Sequence, residues 1–552
     1  MPNIRLYGTL GLVVVCVGDA SQATQDATLE LRWKAARETT MERWTRDKLH
    51  QLVTDRLHGV KLIAVSNREP YVHTRQAGRI RCMPPASGLT TAIDPILRAS
   101  GGVWVAHGSG NADREVVDAA DRVRVPPEAP SYTLRRVWLP ERIENEYYYG
   151  LANEGLWPLC HIAFHRPRFS LKHWTSYREA NEIFAKAVLE EANGDPAFVF
   201  IQDYHLALLP RMLKQSNPNL AIAQFWHIPW PNRETFHVFP WKEELLDGML
   251  GNDLLGFQVQ GHCSNFLETI DRTIEALVDI EHGYVSKAGH LTAVRSFPIS
   301  IDFEEHARMA ASPRVAPATA QWWLELGHAP EMLGIGIDRI DYTKGIPDRL
   351  HALDRLLEEH PDYVGRLVFL QVGVPSRTAI EDYESLNQAL IQQVEALNRK
   401  WGRGTWKPVV FVRRHIDQES LVALHLMADF CLVSSLHDGM NLIAKEFVAS
   451  RIDGDGVLIL SAFTGAAREL TEALIVNPFA VDEMAQAIHH ALNMPAAIRR
   501  RRMNKMRAAV SANNVYRWAG KMILSLAGIE IGEAADRPPE IDESCALAGA
   551  AS

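Results

Sequence analysis

Residues 336–350 have the sequence GIDRIDYTKGIPDRL, and the apolar run EMLGIGI leads into them. A run of this composition is typical of a buried strand in a parallel sheet. It stops at Asp338, after which Arg339, Asp341 and Lys344 follow closely, and a glycine and a proline precede the next helical stretch. Ligands of open α/β sheets bind at the carboxyl ends of the strands. The stretch therefore predicts a ligand site at the edge of a sheet.

The same pattern, an apolar run that ends in polar residues ahead of a helical stretch, recurs on both sides of this loop. The earlier examples are VKLIAVSNREP (60–70), PAFVFIQDYHL (196–206) and LAIAQFWHIPWP (220–231). The later ones are GRLVFLQVGVPSR (365–377), KPVVFVRRHID (407–417), ADFCLVSSLHDGMN (428–441) and GVLILSAFTGAAREL (456–470). Such alternation predicts parallel sheets built from βαβ units. Two series predict an α/β fold with two Rossmann-like domains whose parallel sheets face a deep cleft.

A chain of 552 residues is too long for a single hydrophobic core, which also favours two domains. We expect a partly helical N-terminal extension over 1–58 and a first Rossmann-like domain over 59–299. A second Rossmann-like domain is expected over 300–528, with its last helix packing back on the first. The acidic, alanine-rich tail over 529–552 is predicted to be disordered.

Composition limits the function further. The net charge of −9 argues against a dedicated nucleic-acid binder, which usually carries a basic excess. The six cysteines include no C-x-x-C pair, so we expect neither a zinc site nor a disulfide framework, and a cytoplasmic protein. The apolar part of 7–23 is about ten residues long, too short to span a bilayer. A secretory leader there is the alternative to a poorly ordered extension, although Arg5 is the one charge before it.

The polar residues of the second series suit a sugar nucleotide. Arg339 and Lys344 can neutralise a diphosphate together, because Arg offers a planar fork and Lys a point charge. In HDGMNLIAKE (437–446) a glycine turn opens a helix whose first amides can face an anionic or hydroxyl-rich ligand. Asp438 can accept hydrogen bonds from sugar hydroxyls, although an aspartate alone in this position is more often a helix cap than a ligand contact. Glu446, about two helical turns on, can reach a ribose.

The first series offers a second polar surface. Arg68 ends the first strand, and PASGLTTAI (85–93) places Gly88 where backbone can approach a phosphate ahead of a helix. Asp203 and His227 also end strands, so they are expected at the same cleft. The aromatic run EYYYGLANEGLWPLCH (146–161) fits either a core or the floor of a carbohydrate site.

These residues carry a resemblance to a known family. From about residue 61 to 528 the chain resembles the trehalose-6-phosphate synthases, retaining glycosyltransferases with two Rossmann domains of the B type (GT-B). The motifs in order are SNR, YY…LWP.CH, DYHL.LLP, HIP.P, DLLGFQ, R.DY.KG.P.R, DGMNL.AKE and ALIVNP.

The resemblance implies a role for each motif residue. Arg339 and Lys344 would hold the donor diphosphate, with the backbone of Gly88 closing over it. His227 would lie beside the transferred sugar, and Asp203 would bond the acceptor near its reacting hydroxyl. The remaining donor contacts would be Asp438, Gly439, Met440, Asn441, Leu442 and Glu446. The acceptor's phosphate and ring would be bound by Arg68, Tyr148, Trp157 and Arg377.

The implied reaction moves glucose from a nucleoside diphosphate glucose, UDP-glucose by preference, to glucose 6-phosphate, and it forms α,α-trehalose 6-phosphate with retention. It implies no metal and no cofactor, since the nucleotide sugar is a co-substrate, and it leaves a homo-oligomer open. Paired carboxylates of the hydrolase kind are not required.

Three departures from the family pattern concern the acceptor. Ser87 stands where the phosphate loop usually has a first glycine, and His107 stands where the family commonly has a tryptophan. The opening SNREPY (66–71) also resembles glucosylglycerol-phosphate synthases, which use glycerol 3-phosphate. That activity is the main alternative, and a non-catalytic sugar-phosphate sensor is a second. An NAD-dependent oxidoreductase is disfavoured because no G-x-G-x-x-G follows a predicted strand.

Overall fold

The structure is a computed structural model, and it describes residues 43–57, 59–83, 88–327 and 329–535. The N-terminal stretch 7–23 and most of the predicted tail lie outside these ranges. By internal contacts the chain divides at Arg43, and the unit that begins at Trp44 holds both sheets. The predicted division of that unit at residue 299 stays a prediction.

Two large sheets are built from alternating strands and helices. The strands up to residue 296 are β1 (Lys61–Arg68), β2 (Val72–Gln76), β3 (Arg79–Met83), β4 (Val103–His107), β5 (Arg122–Val125), β6 (Tyr132–Val137), β7 (Ala197–Gln202), β8 (Ala221–Phe225), β9 (Leu254–Phe257), β10 (Leu277–Asp279), β11 (Tyr284–Lys287) and β12 (His290–Ser296). The later strands are β13 (Met332–Arg339), β14 (Leu367–Val374), β15 (Val409–Val412), β16 (Phe430–Val433), β17 (Val457–Ser461) and β18 (Leu474–Val476).

The helices fall into two similar sets. The first set is α1 (Arg46–Leu57), α2 (Gly88–Ser100), α3 (Glu141–Glu144), α4 (Trp157–His161), α5 (Leu171–Ala192), α6 (Leu209–Ser216), α7 (Arg233–Phe236), α8 (Lys242–Met249) and α9 (Gln260–Thr273). The second set is α10 (Phe303–Ala310), α11 (Val315–Leu326), α12 (Ile346–Glu359), α13 (Glu381–Trp401), α14 (Gln418–Met427), α15 (Leu442–Ser450), α16 (Val481–Asn493), α17 (Ala496–Ala512) and α18 (Val515–Ala535). A π-helix, Asn145–Leu156, joins α3 to α4.

The first sheet has ten strands in the order β10-β11-β12-β9-β8-β7-β1-β4-β6-β5. The middle of this sheet is parallel, as the sequence predicts. Its two edges are antiparallel: β5 pairs with β6 at one edge, and β11 pairs with β12 and β10 with β11 at the other. The chain leaves β1 toward β4 and later returns to place β7 on the other side of β1. The strand order therefore reverses beside β1, and such a switch point opens a crevice for a ligand.

The second sheet has six parallel strands in the order β15-β14-β13-β16-β17-β18. This is the Rossmann order, and it reverses between β13 and β16. The guanidinium of the fully buried Arg349 on α12 links three neighbouring strands here. It donates to Asp338, to Gln371 on β14 and to the hydroxyl of Ser434 after β16. A rigid floor thus underlies the loop that bears Lys344.

The last helix, α18, packs on the first sheet. Trp518 donates from its indole nitrogen to the carbonyl oxygen of Phe297 at 3.1 Å and meets the ring of Phe225 edge to face. The helix runs to Ala535, so it continues past residue 528, where the predicted tail begins. Among the helices that the structure describes, none is long and apolar enough to cross a membrane.

Candidate active site

The carboxyl ends of β13 and β16 bring together two side chains that lie far apart in the sequence. Lys344 follows β13, and its Nζ donates to Oδ2 of Asp438, which follows β16, at 2.5 Å. Burial raises the pKa of Asp438, but the ammonium of Lys344 and other neighbours outweigh it and lower that pKa to about 2. The Asp438 carboxyl is therefore ionised at neutral pH.

Gly345 makes the turn after Lys344 possible. Its φ is +60°, in the left-handed region that favours glycine, and a Cβ there would lie 2.2 Å from the carbonyl oxygen of Ser434. The backbone can therefore pass close to the end of β16, which holds Lys344 within reach of Asp438.

The turn after Asp438 touches the first sheet directly. A Cβ on Gly439 would lie 2.1 Å from the carbonyl oxygen of His227, which follows β8. Asn441 has a φ of 76° and caps α15 by accepting from the backbone N–H of Ala444. Its side-chain amide also donates to Asp438 at 3.2 Å. Met440 is buried in this turn.

The helix α15 carries the last two predicted donor contacts. It begins at Leu442, which is partly buried, and Glu446 is buried one turn further along. Burial raises the pKa of the Glu446 carboxyl, while the nearby His306 acts in the opposite direction.

Trp157 lies close to two arginines of the second sheet. The Arg377 guanidinium carbon is 4.1 Å from the centre of the Trp157 ring, and that of Arg339 is 5.4 Å away. Burial and the neighbouring guanidinium of Arg377 lower the pKa of Arg339, although Asp341 opposes this. The side chain of Arg339 makes no hydrogen bond or ion pair with another residue in the described part of the chain, so its N–H donors remain available to an anion.

Arg68 and Tyr148 form the opposite wall. Arg68 is exposed at the end of β1 and donates to the Tyr148 hydroxyl at 2.8 Å. The Tyr148 ring stacks on His205 at 5.6 Å between centroids. Burial raises the pKa of Tyr148, but the guanidinium groups of Arg68, Arg377 and Arg339 outweigh it and lower that pKa to about 7.

Asp203 and His227 lie where β7 and β8 end. Asp203 has a φ of 73°, and its Oδ1 accepts from the backbone N–H of His227 at 3.2 Å. Burial is the main cause that raises the pKa of Asp203 to about 7. Burial also lowers the pKa of His227 to about 3, and its Nε2 lies 2.8 Å from Gln202 Oε1. His227 is thus neutral, with Nε2 donating to Gln202.

Gly88 is the first residue of α2. The residues that precede it, 84–87, lie outside the described ranges, so the predicted closure of this loop over a phosphate stays a prediction. Among the residues that the structure does describe, no three His, Cys, Asp or Glu side chains form a group that could hold a metal ion. The predicted absence of a metal likewise stays a prediction.

The structure adds two residues for which no role was predicted from the sequence. Asp341 is fully buried, and its carboxylate accepts from Trp157, Arg377, Tyr383 and the turn at Thr343. The His161 ring lies 4.1 Å from the Trp157 ring between centroids, at an angle of 35°, and its carbonyl oxygen accepts from Nδ1 of His437. The motif Asp341-Tyr342 in GIDRIDYTKGIPDRL is a sequence signal for Asp341. The sequence alone, however, does not distinguish a buried aspartate from one that caps a helix. The contacts of His161 join positions 276 residues apart.

Fold and site together define a glycosyltransferase of the GT-B class, since two Rossmann-type sheets present cations and carboxylates to a shared cleft. The model of glycosyltransferase family 20 matches residues 60–528. The chain belongs to this family.

Known relatives agree with this assignment. A bifunctional trehalose-6-phosphate synthase/phosphatase from Thermoproteus tenax is 38% identical over 479 residues, which are 85% of this chain and 63% of that protein. The chain thus spans less than two thirds of that relative's length. A trehalose-6-phosphate synthase from Mycolicibacterium vanbaalenii is 38% identical over 86% of this chain and 97% of its own length. A crystal structure of an alpha,alpha-trehalose-phosphate synthase (UDP-forming) from Burkholderia xenovorans in complex with glucose-6-phosphate has a TM-score of 0.76, with 29% identity, and covers 85% of this chain and all of that one.

Proposed function

We propose that the protein transfers glucose from UDP-glucose to glucose 6-phosphate and forms α,α-trehalose 6-phosphate with retention at the anomeric carbon. The observation that carries the proposal is the convergence of two polar walls on one cleft in a member of glycosyltransferase family 20. One wall is the Lys344–Asp438 pair with the turn at Gly439, and the other is Arg68, Tyr148 and Arg377.

The donor is assigned to the ends of β13 and β16. The diphosphate would lie against Arg339 and Lys344, and the glucose hydroxyls would meet Asp438 and the amides that open α15. Glu446 would face the ribose. Because Lys344 forms an ion pair with Asp438, donor binding would exchange that pair for contacts to phosphate and sugar.

The acceptor is assigned to the arginine-rich wall. A phosphate dianion suits a surface on which Arg68 and Arg377 lie near one phenol, because guanidinium groups bind phosphate in a bidentate manner. Trp157 would form the floor under the sugar ring. Asp203 would accept a hydrogen bond from the acceptor close to the reacting hydroxyl.

The reaction follows from this placement. The bond between the anomeric carbon and the diphosphate oxygen breaks as the acceptor oxygen bonds to the same face, and the proton of the acceptor hydroxyl passes to the departing UDP. Negative charge grows on the diphosphate in the transition state, where Arg339 and Lys344 would stabilise it. No carboxylate is assigned as a nucleophile.

We propose that the reaction needs neither a metal nor a cofactor, since Arg339 and Lys344 would supply the positive charge that the diphosphate needs. Assays with and without EDTA test this, and the rate is expected to be the same in both. We also propose a cytoplasmic protein, and homo-oligomerisation stays open.

The test is a matrix of donors against acceptors, with the product identified by mass. UDP-, ADP- and GDP-glucose are each offered with glucose 6-phosphate and with glycerol 3-phosphate. We expect UDP release that depends on glucose 6-phosphate, together with a disaccharide phosphate. If a product forms with glycerol 3-phosphate and not with glucose 6-phosphate, the acceptor is glycerol 3-phosphate. If the substrates bind and no product forms, the protein is a sugar-phosphate sensor.

A further inference from the structure

We infer that Asp341 is a positioning residue of the acceptor site. Its carboxylate holds Trp157, from the first half of the cleft, and Arg377, from the second half, in the geometry that binds the acceptor. The inference rests on the proposed function, since it concerns how that function's acceptor site is assembled. Asp341 follows β13 and is fully buried.

The two oxygens of the Asp341 carboxylate have different partners. Oδ1 accepts from the backbone N–H of Thr343 at 3.0 Å, from its hydroxyl at 2.9 Å and from the Trp157 indole at 3.4 Å. Oδ2 accepts from Arg377 at 3.2 Å and from the Tyr383 hydroxyl at 3.4 Å. One oxygen therefore holds the turn before Lys344 and the aromatic floor, and the other holds the arginine assigned to the acceptor phosphate.

The conformation of Arg377 needs such an anchor. Its φ of 52° lies in the left-handed region, which is unfavourable for a residue with a side chain. Its Nη1 donates to Asp341 and to Tyr383, while its buried Nε has no hydrogen-bond partner. An unpaired buried donor is costly and is satisfied when a ligand accepts from it. Asp341 thus fixes one edge of the guanidinium, and the edge with the free N–H is left for an anion.

The charge of Asp341 serves the same arrangement. Burial raises the pKa of its carboxyl, but Arg377, Arg339 and Lys344 outweigh it and lower that pKa, so the group is ionised. The carboxylate is the buried counter-charge that lets Arg377 and Arg339 both lie close to the Trp157 ring.

The asymmetry of the carboxylate allows a selective variant. In Asp341→Asn the amide oxygen can keep the bonds to Thr343 and Trp157, while the amide nitrogen would face Arg377, donor against donor. We therefore expect a loss on the acceptor side, with the donor loop retained. Asp338→Asn is the matched control, because Asp338 is a buried carboxylate near the end of β13 that accepts from Arg349, which is not part of the acceptor wall.

The experiment measures acceptor KM, kcat, UDP affinity by calorimetry and thermal stability for the full chain. For Asp341→Asn we expect the acceptor KM to rise about tenfold, with UDP affinity within about twofold of the wild type. Asp338→Asn is expected to change stability and leave the acceptor KM within about twofold. In an Arg377→Gln background, Asp341→Asn should add little, since its effect on the acceptor passes through Arg377.

Tyr383→Phe serves if Asp341→Asn does not fold, since it removes one hydroxyl and keeps the ring. It should raise the acceptor KM about threefold in the wild type and not in the Arg377→Gln background. Equal effects of Asp341→Asn and Asp338→Asn on the acceptor KM, or additivity with Arg377→Gln, would overturn the inference. A wild type that releases no UDP with either phosphate ester would refute the proposed function instead. Calorimetric titration with glucose 6-phosphate would then decide the role of Asp341.

Discussion

The donor and acceptor walls of the cleft balance their charges in different ways. On the donor wall Lys344 is matched by Asp438 in a direct ion pair, and the pKa of that carboxyl falls to about 2. On the acceptor wall several guanidinium groups surround Tyr148, whose pKa they lower to about 7, and Asp341 is their buried counter-charge. The donor wall thus pairs Lys344 directly and leaves the charge of Arg339 for the diphosphate, whereas the acceptor wall sets Arg68 and Arg377 against one buried carboxylate. Each wall keeps a positive charge that a phosphate can satisfy.

The largest effect is expected when the donor wall loses a cation. Arg339→Ala and Lys344→Ala should each lower turnover by at least about a hundredfold, because a lost contact to a developing charge costs about 3 kcal/mol. Turnover at saturating substrates, measured by UDP release, checks this. Lys186→Ala, at a highly exposed lysine on α5, is the control and should leave the rate unchanged. Near-normal rates in both site variants would contradict the donor assignment.

A smaller effect is expected where the two halves of the cleft touch. In Gly439→Ala the new methyl group would lie 2.1 Å from the carbonyl oxygen of His227, so the turn and the end of β8 must move apart. We expect kcat to fall by tens of times, with a lower melting temperature, because misplaced reacting groups are costly. Gly261→Ala on α9 is the matched control, since a Cβ there meets no atom within 4 Å. An active, fully stable Gly439→Ala protein would show that this contact does not set the geometry.

The comparison also shows what the sequence could predict. The parallel strands were predictable because buried strands are nearly continuous apolar runs, and β13 ends at Arg339, next to the point where EMLGIGI stops. The antiparallel edges were not predicted, because β5 (RVRV) and β10 (LVD) are short and partly polar. The aromatic run at 146–161 forms a π-helix and a short α-helix. Its first alternative, a core, is met by Tyr147, which is fully buried, while the floor of a carbohydrate site stays a prediction.

Pairings between different strand ends were beyond sequence reasoning. Lys344 and Asp438 were each predicted as ligand contacts, but their ion pair joins residues 94 positions apart, and only the sheet topology brings them together. The role of Asp341 was missed for a related reason. A buried carboxylate with four partners and an exposed helix cap look alike in a sequence, because burial depends on the whole fold.

The acceptor wall is expected to respond in KM more than in kcat. Arg377→Ala should raise the KM for glucose 6-phosphate about tenfold and change kcat by less than about threefold, as expected when a ground-state contact to the phosphate is removed. Steady-state kinetics with glucose 6-phosphate as the varied substrate measures this. Arg366→Ala, an arginine that pairs with Glu331 away from the cleft, is the control. A kcat loss as large as that of Lys344→Ala would place Arg377 with the donor instead.

The smallest effect is a pH dependence that belongs to Tyr148. Neutral tyrosine can share hydrogen bonds with Arg68 and a phosphate, whereas the phenolate would repel the dianion. Since the pKa of Tyr148 is about 7, its protonated fraction falls about threefold between pH 6.5 and 7.5. The kcat/KM for glucose 6-phosphate should therefore fall about threefold over this range relative to Tyr148→Phe, which cannot ionise. Asp203 also titrates near pH 7, and its effect is opposite, because the carboxylate that would bond the acceptor forms as the pH rises. Both proteins contain Asp203, so the ratio of wild type to variant removes its titration. Parallel pH profiles for the two proteins would show that the phenol stays neutral, and the positive excess of the acceptor wall would then have to be balanced by Asp341 alone.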